Sequence, residues 1–397
     1  MTSPSPPAAL PRTADIIIIG AGVMGASIAF QLAQRKAGRI LILDKDHAGQ
    51  GASGRSSALV RMHYTFPPEV ELALRSLEIF RDWKNIVGTP SDFRVTGFVR
   101  IVAEDEHERL RHNVAIQQRL GVNTRVVTRD ELREIAPDWR VDDVSLAAYE
   151  PDSGYGDGAG VGTGFLARAR ELGVEYFPRT QVTRLNASSG RVTGVSTTAQ
   201  EVSAPRVIVA VGQWSVPLFR TIGIDLPIET ELHETVMLVN PPEMTPRGPA
   251  CIDSISCTYF RSDAHDKTLV GGFYGRRGVD ADHFPQHANP DSLTELVHAA
   301  ARRVPALERA GILRGITGVY DMTPDARPLL GPIDSVAGLY VCAGFSGMGF
   351  KISPAIGIVM AEQVLDGHAR TVDITPFRAS RFAEGQPIRA PYEYRDD

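Results

Sequence analysis

The stretch "ADIIIIGAGVMGASIAFQLAQRKAGRILILDKD", residues 14–46, decides the fold. Residues 15–19 form a short apolar run rich in β-branched side chains, which is typical of a buried parallel strand. A glycine-rich turn, an apolar pattern at helical spacing and a second apolar run at 39–43 follow, and Asp44 closes the unit. This order predicts a Rossmann unit that binds a dinucleotide.

The glycines of this G-x-G-x-x-G turn have separate roles in a dinucleotide site. Gly20 makes the tight turn, Gly22 lets a pyrophosphate approach the backbone, and Gly25 lets the helix pack closely on the strand. Asp44 is placed to accept a hydrogen bond from a ribose hydroxyl, unless it is only a solvated acid at the strand end. The motif does not separate FAD from NAD. The residues that it assigns to the cofactor are Gly20, Ala21, Gly22, Val23, Met24, Gly25, Asp44 and Lys45.

The composition narrows the class of protein. A length of 397 residues suffices for two or three domains. A net charge of −5 without basic blocks argues against a nucleic-acid surface, and the apolar runs are shorter than the ~20 residues of a membrane span. Three cysteines without a Cys-x-x-Cys pattern indicate a cytoplasmic protein. The histidines lack ligand spacing, which predicts that there is no metal site.

The rest of the sequence predicts one α/β domain that is interrupted by a second domain. Apolar strands, glycine-rich loops and helices recur in three separate blocks, and two intervening blocks are rich in strands and charged helices. A nicotinamide dehydrogenase more often has its Rossmann unit in one block, so this layout favours a flavoprotein. The N-terminal arm lacks the charged and apolar regions of a signal peptide. The predicted segments are a disordered arm (1–13), a nucleotide-binding domain (14–90, 151–222 and 318–397 with the C-terminal tail) and a second domain (91–150 and 223–317).

The stretch "GFSGMGFKISPAIG", residues 344–357, places a lysine beside a glycine-rich turn. Lysine is scarce in this chain, with five lysines against 37 arginines. Ser353 is predicted as an N-cap and Pro354 as the first position of a helix that ends before Gly367. Lys351 therefore lies next to the predicted N-terminus of that helix.

Five blocks stand in order along the chain: "IIIIGAGVMGASIAFQLA" (16–33), "GASGRSSALVRMHY" (51–64), "VIVAVGQWS" (207–215), "YDMTPDARPLLGPI" (320–333) and "LYVCAGFSGMGFKISPAIG" (339–357). Together they resemble the D-amino-acid oxidase superfamily of FAD proteins, and the branch of sarcosine oxidase, dimethylglycine dehydrogenase and glycine oxidase is the most similar. The tail "RFAEGQPIRAPYEY", residues 381–394, is also similar to the ends of sarcosine-oxidase-type chains. The resemblance implies an α/β fold with a Rossmann-type, glutathione-reductase-like FAD domain interrupted by an α+β substrate domain with a mixed sheet. It also implies oxidation of an amine carbon by hydride transfer to flavin N5.

The resemblance also assigns roles to residues. Lys351 and Arg61 match the lysine and arginine that hold a substrate carboxylate, which suits the point charge of a lysine and the bidentate fork of an arginine. Tyr259 matches a tyrosine that lines the substrate pocket, although a plainly packed tyrosine explains it equally well. Further residues that the resemblance places at FAD are Ser53, Ser56, Ser57, Val182, Gly212, Trp214, Gly318, Gly344, Ser346, Gly347, Met348, Gly349, Phe350 and Lys351 itself.

Several positions depart from the pattern of monomeric sarcosine oxidases. Gly318 stands where those enzymes carry the cysteine that tethers FAD, so non-covalent FAD is predicted. Ala58 replaces a second arginine and Met348 replaces a histidine of the glycine turn. Val270 aligns with a lysine that promotes reaction with oxygen, while Lys267 lies three residues away. The amine pocket and the electron acceptor therefore remain open.

Three functions remain open at this level. The first is a flavoenzyme that oxidises a small secondary or N-methyl amino acid to an imine, with a primary amino acid as the variant. The second is the catalytic subunit of a complex that passes electrons to partner subunits instead of oxygen. The third is a flavin-binding module without turnover, which the pair Arg61 and Lys351 argues against, because such a module needs no carboxylate clamp.

Overall fold

A computed structural model of the chain describes residues 9–90, 93–244, 248–263 and 266–395. The strands of these residues are, in chain order, β1 (Ile16–Ile19), β2 (Ile40–Leu43), β3 (Leu59–Val60), β4 (Arg94–Val95), β5 (Phe98–Ile101), β6 (Arg125–Thr128), β7 (Leu146–Glu150), β8 (Gly154–Tyr155), β9 (Glu175–Phe177), β10 (Val182–Ser188), β11 (Arg191–Thr197), β12 (Glu201–Ser203), β13 (Val207–Val209), β14 (Glu229–Val239), β15 (Ala250–Asp253), β16 (Thr258–Asp263), β17 (Lys267–Gly272), β18 (Arg276–Arg277), β19 (Gly311–Met322), β20 (Leu329–Pro332) and β21 (Leu339–Ala343). The α-helices are α1 (Val23–Gln34), α2 (Pro67–Arg81), α3 (Trp83–Ile86), α4 (His107–Arg119), α5 (Arg129–Ile135), α6 (Gly158–Glu171), α7 (Ser215–Arg220), α8 (Pro290–Arg303) and α9 (Gly349–Asp366).

The Rossmann sheet has the strand order β20-β21-β13-β1-β2-β9. Its strands are parallel except β20, which pairs antiparallel with β21. Ile16 and Ile18 of β1 face a core formed with α1, α6 and α9, whereas Ile17 and Ile19 face a core shared with β10, β11 and β12. Because both faces are covered, every position of β1 is apolar and buried, as the first run of the sequence predicts.

The second large sheet has the order β18-β14-β17-β16-β15-β5-β7-β6, and β19 also pairs with β14. β5 and β15 run parallel while the other neighbours are antiparallel, so the sheet is mixed. Helix α8 packs Leu293 and Val297 against one face of this sheet. The predicted α/β fold with a mixed second sheet is therefore confirmed. Within the described ranges, no helix has the length and apolar character needed to cross a membrane.

The structure adds detail at two of the predicted segment boundaries. Strand β19 pairs with β14 as far as Met322, so the mixed sheet extends past the predicted boundary at 317. Near the N-terminus, Arg12 accepts a hydrogen bond from the Ser203 backbone and Thr13 bridges the same residue, so the end of the predicted arm joins the fold. Residues 1–8 of that arm lie outside the described residues.

Helix α9 begins at Gly349, so the predicted start at Pro354 with Ser353 as N-cap is wrong. Proline inside a helix removes the N–H that would bond to the carbonyl four residues earlier. The Ser353 hydroxyl donates to the Phe350 carbonyl at 2.8 Å and so supplies a donor that Pro354 lacks. The predicted C-terminus is correct, because Gly367 adopts φ +81° and ends the helix.

Candidate cofactor and substrate site

A cavity of about 610 Å³ lies at the carboxyl ends of β1, β2 and β13. In open α/β sheets this edge is where ligands bind, because the loops that follow the strands diverge there. The cavity continues to the turn before α9 and to strand β19 of the mixed sheet. Fifteen of the residues predicted to contact the cofactor line it: Gly20, Gly22, Val23, Met24, Asp44, Lys45, Ser53, Ser56, Val182, Gly212, Trp214, Gly318, Gly347, Gly349 and Phe350.

The glycines of the first turn fit the roles that the motif predicts. Gly20 has φ +100°, and a Cβ there would lie 2.4 Å from the Ala210 carbonyl oxygen. A Cβ on Gly25 would lie 1.9 Å from the Gly20 oxygen, so this glycine is needed for close packing of helix on strand and does not itself line the cavity. Gly22 caps α1, whose N-terminus therefore opens into the cavity.

Asp44 and Ser53 fix the polar atoms of the same turn. Asp44 accepts hydrogen bonds from the backbone N–H of Ala21 at 2.6 Å and of Asp46 at 2.8 Å. Burial raises the pKa of Asp44, and these two hydrogen bonds lower it in part. The Val23 N–H donates to Ser53 Oγ at 3.0 Å. The acid at the end of β2, the helix N-terminus and the missing Cβ atoms together suit a ribose and a pyrophosphate, so the residues present fit a dinucleotide.

A loop of the mixed sheet, residues 278–289, covers one side of the cavity. Asp282 of this loop accepts a hydrogen bond from Trp214 Nε1 at 2.8 Å and pairs with Lys45. The Lys45 ammonium lies 3.8 Å from the centre of a Trp214 ring. Burial raises the pKa of Asp282, but the contacts with Lys45 and Trp214 outweigh it and lower the pKa overall. Asp282 and its neighbour Phe284 line the cavity, and no local motif in the sequence points to them.

The glycine turn before α9 is held by a buried acid that the sequence analysis missed. Asp321 accepts a hydrogen bond from the Gly344 N–H at 2.6 Å, and its backbone oxygen accepts one from Ser346 at 3.1 Å. Burial raises the pKa of Asp321 to about 6. Gly344, Ser346 and Gly347 all have positive φ. The turn therefore points its backbone into the cavity at Gly347 and Gly349, while Gly344, Ser346 and Met348 lie outside the lining and support it.

Lys351 and Arg61 are brought together beside this turn. Lys351 is 7% exposed, and the contact that the described residues offer its ammonium is the Gly347 carbonyl oxygen at 3.5 Å. Burial and the charge of Arg61 lower the pKa of Lys351 well below its usual value, and Glu69 offsets part of this effect. A buried lysine whose charge is destabilised by a neighbouring cation favours an anionic ligand between or beside the two side chains. Neither residue lines the large cavity.

The Arg61 side chain rests on aromatic rings and on its own loop. Its guanidinium carbon lies 4.4 Å from the centre of the Tyr64 ring, and one of its N–H groups donates to the His63 carbonyl. Arg61 Nε is buried and has no hydrogen-bond partner among the described residues. Because an unpaired buried donor is costly, a ligand carboxylate that accepts from this group would be stabilised.

A buried glutamate lies behind the Arg61 loop. Glu150 accepts hydrogen bonds from the Met62 N–H at 3.0 Å and from the Ser153 hydroxyl at 2.6 Å. Burial raises the pKa of Glu150 to about 7, although these hydrogen bonds and the charge of Arg61 lower it. This residue stands at the end of a strand, and the sequence analysis did not select it.

Tyr259 contacts the cavity through Tyr320, which lines it. The Tyr259 hydroxyl is hydrogen-bonded to Tyr320 and to the Ser57 side chain, and burial raises its pKa well above the usual value. The Tyr259 ring covers Gly271, where a Cβ would lie 2.3 Å from the ring. Tyr320 in turn packs on Gly347 of the glycine turn. Ser57 and Tyr259 thus lie one residue away from the lining, and the Tyr320 ring links Tyr259 to the turn.

The alignment of Val270 with an oxygen-activating lysine is not supported by the sheet register. Tyr259 pairs with Gly271, whereas Val270 pairs with Phe260 and lies in the core on the opposite face. Lys267 is at the far end of β17, where it pairs with Asp266 at 3.0 Å. The residue that β17 presents beneath Tyr259 is therefore a glycine.

Gly318 lines the cavity, so the position of the tethering cysteine in the resembling enzymes lacks a thiol here. A different cysteine, Cys342 of β21, does line the cavity. Burial and the nearby Asp321 raise the pKa of the Cys342 thiol. This thiol is therefore held in its un-ionised and poorly nucleophilic form.

Residues 15–363 match the family of FAD-dependent oxidoreductases known as DAO, and the chain belongs to this family. Members of the family act on amino acids and related amines with FAD as cofactor. The fold, the dinucleotide cavity and the glycine turn described above are thus those of an FAD enzyme.

Individual relatives cover nearly the whole chain. FAD-dependent oxidoreductase domain-containing protein 1 of Mus musculus is 28% identical over 96% of this chain and 87% of its own length. Sarcosine oxidase subunit beta of Arthrobacter sp. is 26% identical over 95% of this chain and 93% of its own. Among solved structures, L-proline dehydrogenase from P. horikoshii has a TM-score of 0.89 at 27% identity and covers 96% of this chain and 100% of its own. Glycine oxidase from Geobacillus kaustophilus has a TM-score of 0.83 at 25% identity, with coverages of 94% and 99%.

Proposed function

We propose that this protein oxidises the C–N bond of a small secondary or N-methyl amino acid to an imine. The observation that carries the proposal is the pair of Arg61 and Lys351, two cations in a buried region next to the glycine turn, without a carboxylate within salt-bridge distance of Lys351 in the described chain. A substrate carboxylate would restore the charge of Lys351 and satisfy Arg61 Nε. The pair therefore selects for the amino-acid form of an amine.

The side chains around this pair position the substrate. The fork of Arg61 orients the carboxylate. The Tyr320 ring packs on the same turn and its hydroxyl is hydrogen-bonded to Tyr259, so this hydroxyl pair is the proposed partner of the amine. Nearby cations lower the pKa of a substrate ammonium, which favours the neutral amine that loses a hydride readily. FAD, when bound along Gly22, Asp44 and Gly349, supplies the hydride acceptor. Water then converts the imine product to an amine and an aldehyde or oxo acid.

The secondary amine is proposed because the sarcosine oxidase subunit and the L-proline dehydrogenase are named for secondary amino acids. Glycine oxidase supports a primary amino acid as the alternative. The word subunit in the first name supports a second alternative, in which this chain is the catalytic part of a heteromeric complex.

The register of β17 supports a proposal about the electron acceptor. Reduced flavin reacts with oxygen through an anion that a nearby cation stabilises, and a unit charge at ~4 Å and effective dielectric ~20 contributes about 4 kcal/mol. Because Gly271 stands beneath Tyr259 and Val270 faces the core, this strand offers no such cation to the site. We therefore propose that reoxidation by oxygen is slow and that an electron carrier is the better acceptor. The position of Lys351 beside the glycine turn supports the alternative, in which Lys351 stabilises the anion and oxygen is the acceptor.

The test uses matched pairs of compounds that differ in the carboxylate. Sarcosine and dimethylamine, or L-proline and pyrrolidine, are mixed without oxygen with the FAD-loaded wild type and with Arg61→Ala and Lys351→Met. Loss of one partner of a desolvated charged contact costs roughly 2–5 kcal/mol, which is about thirty- to several-thousand-fold in the concentration for half-maximal flavin reduction. The expected losses are confined to the compound that carries the carboxylate.

Lys36→Met is the control, because Lys36 is exposed. It should match the wild type on every compound. Equal losses of Arg61→Ala on both members of a pair would overturn the proposal, since they would assign the residue to the fold or to FAD instead of the carboxylate.

A further inference from the structure

The C-terminal tail crosses from the glycine-turn side of the molecule to the mixed sheet. Its Ile388 N–H donates to Asp325 Oδ2 at 2.9 Å, in the turn between β19 and β20. Further along, the Tyr392 carbonyl accepts a hydrogen bond from Asn113 of α4 at 2.9 Å. The Arg395 N–H donates to Glu106, also at 2.9 Å. The tail is therefore fixed at both ends.

Between these anchors, Tyr394 turns inward and is 4% exposed. Its hydroxyl lies 2.9 Å from His63 Nε2, and the two rings stack with centres 5.8 Å apart. The Arg100 guanidinium lies 4.7 Å from the centre of the Tyr394 ring. Burial and the charges of Arg100 and Arg61 lower the pKa of His63 well below its usual value, so the imidazole is neutral. A neutral imidazole nitrogen that lost the hydroxyl would be left buried without this partner.

His63 is also the residue on which Arg61 rests. An N–H of Arg61 donates to the His63 carbonyl, and the Arg61 guanidinium covers the ring of the next residue, Tyr64. The position of the His63 backbone therefore sets the direction of the Arg61 fork. Tyr394 contacts the imidazole of His63, whereas Arg61 contacts its backbone carbonyl.

A second series of contacts connects the tail with Lys351. Glu393 pairs with Arg327 at 3.3 Å, and Arg327 pairs with the buried Glu69 at 2.9 Å. The charge of Glu69 raises the pKa of Lys351 against the larger effect of burial. The tail thus reaches both members of the proposed clamp, each through a short chain of contacts.

We propose that Tyr394 is a positioning residue for substrate binding, because it holds His63 and thereby orients the Arg61 fork toward the substrate carboxylate. This inference rests on the carboxylate clamp proposed above. It gives the C-terminal tail, which lies outside the matched family segment of residues 15–363, a direct part in substrate affinity.

The test is Tyr394→Phe, which keeps the ring and removes the hydroxyl. Tyr392→Phe is the matched control, since Tyr392 lies in the same tail and stacks on His112 through its ring. Anaerobic flavin reduction is followed with sarcosine or L-proline, whichever reduces the wild type, and with the matching amine that lacks the carboxylate. For Tyr394→Phe the half-saturating concentration of the amino acid should rise roughly five- to 100-fold, because a buried hydrogen bond is lost.

The limiting rate should stay within about twofold, because the hydroxyl does not contact the reacting atoms. The carboxylate-free amine should behave as with the wild type, and Tyr392→Phe should match the wild type throughout. Unchanged affinity in Tyr394→Phe, or an equal loss on both compounds, would overturn the positioning role. If Tyr394→Phe changes nothing while Arg61→Ala loses affinity for the amino acid only, the clamp stands and this inference alone fails. If Arg61→Ala shows no such loss, the clamp fails and the inference fails with it.

Discussion

At the scale of single residues, the charge of Glu150, which lies behind the Arg61 loop, changes with pH in the neutral range. It is fully buried, and its Oε1 has no hydrogen-bond partner among the described residues. Burial raises its pKa from 4.5 to about 7. A carboxyl whose pKa is higher in the folded state favours folding below the unfolded pKa and loses that contribution as the pH rises through the folded value.

We therefore expect Glu150→Gln to change the pH dependence of stability. The contribution of Glu150 is lost between about pH 4.5 and 7, and it amounts to roughly 3–4 kcal/mol at about 1.36 kcal/mol per pKa unit. Urea unfolding of the FAD-loaded wild type and variant at pH 5 and pH 8 measures it. Relative to the wild type, the variant should gain stability at pH 8 compared with pH 5. His63 and Asp321 titrate in both proteins, so their effects cancel, and parallel pH profiles would refute the assignment.

The sequence predicts the residues of the site unevenly, for a physical reason. The roles of the G-x-G-x-x-G turn at residues 20–25 and of Asp44 follow from local geometry, because the residues that define this geometry are close together in the sequence. Arg61 and Lys351 follow from a resemblance that spans the chain. His63 and Glu150 were missed because partners of each are distant in the sequence, with a separation of 331 positions from His63 to Tyr394 and of 88 positions from Met62 to Glu150. No local pattern distinguishes such a histidine from an ordinary core residue.

At the scale of elements, the loop 278–289 extends from the mixed sheet and covers one side of the cofactor cavity. Asp282 joins this loop to Lys45 and Trp214 of the Rossmann part. Both groups of the ion pair are partly exposed, at 34% for Lys45 and 54% for Asp282, so the charge contact is worth little by itself. The hydrogen bond from the indole adds to it.

We expect Asp282→Ala to speed the dissociation of FAD by about two- to tenfold, since a partly exposed ion pair and one hydrogen bond are lost. The increase in flavin fluorescence after dilution of the FAD-loaded protein gives the rate. Asp225→Ala is the matched control, because Asp225 pairs with Arg220 on the surface and does not line the cavity. The same dissociation rate in Asp282→Ala and the control would show that the loop does not retain FAD.

The N-terminus of helix α9 is a boundary that the sequence does not predict correctly. Proline is favoured at the first helical position, so Ser353 and Pro354 read as a start. The hydroxyl of Ser353 bonds to the Phe350 carbonyl and lets the helix continue through the proline. Its true N-terminus at Gly349 therefore reaches the cavity, which the predicted start would have placed more than a turn away.

At the scale of the whole molecule, the two sheets share the site. The Rossmann sheet supplies the turns that fit a dinucleotide, and β19 of the mixed sheet closes the cavity with Gly318, Tyr320 and Asp321. The sequence predicts this interrupted architecture because each block has its own hydrophobic pattern. It does not predict which loop of one part covers the other, since that depends on packing between segments far apart in the chain.

We expect FAD to be bound without a covalent link. Gly318 cannot form a thioether, and burial keeps the Cys342 thiol un-ionised. Heat or acid followed by filtration should release all the flavin from the purified yellow protein. Flavin retained on the denatured wild type but released from Cys342→Ser would identify Cys342 as an anchor and contradict this prediction.

Anaerobic reduction of its own flavin shows directly whether the chain takes a hydride from an amino acid whose carboxylate it recognises. The FAD-loaded protein is mixed without oxygen with sarcosine, L-proline, glycine and D-alanine, and with the corresponding amines that lack the carboxylate. A secondary amino acid should bleach the visible flavin band, and its carboxylate-free partner should do so only at far higher concentration. Bleaching by the amines as readily as by the amino acids, or by none of the compounds, would contradict it.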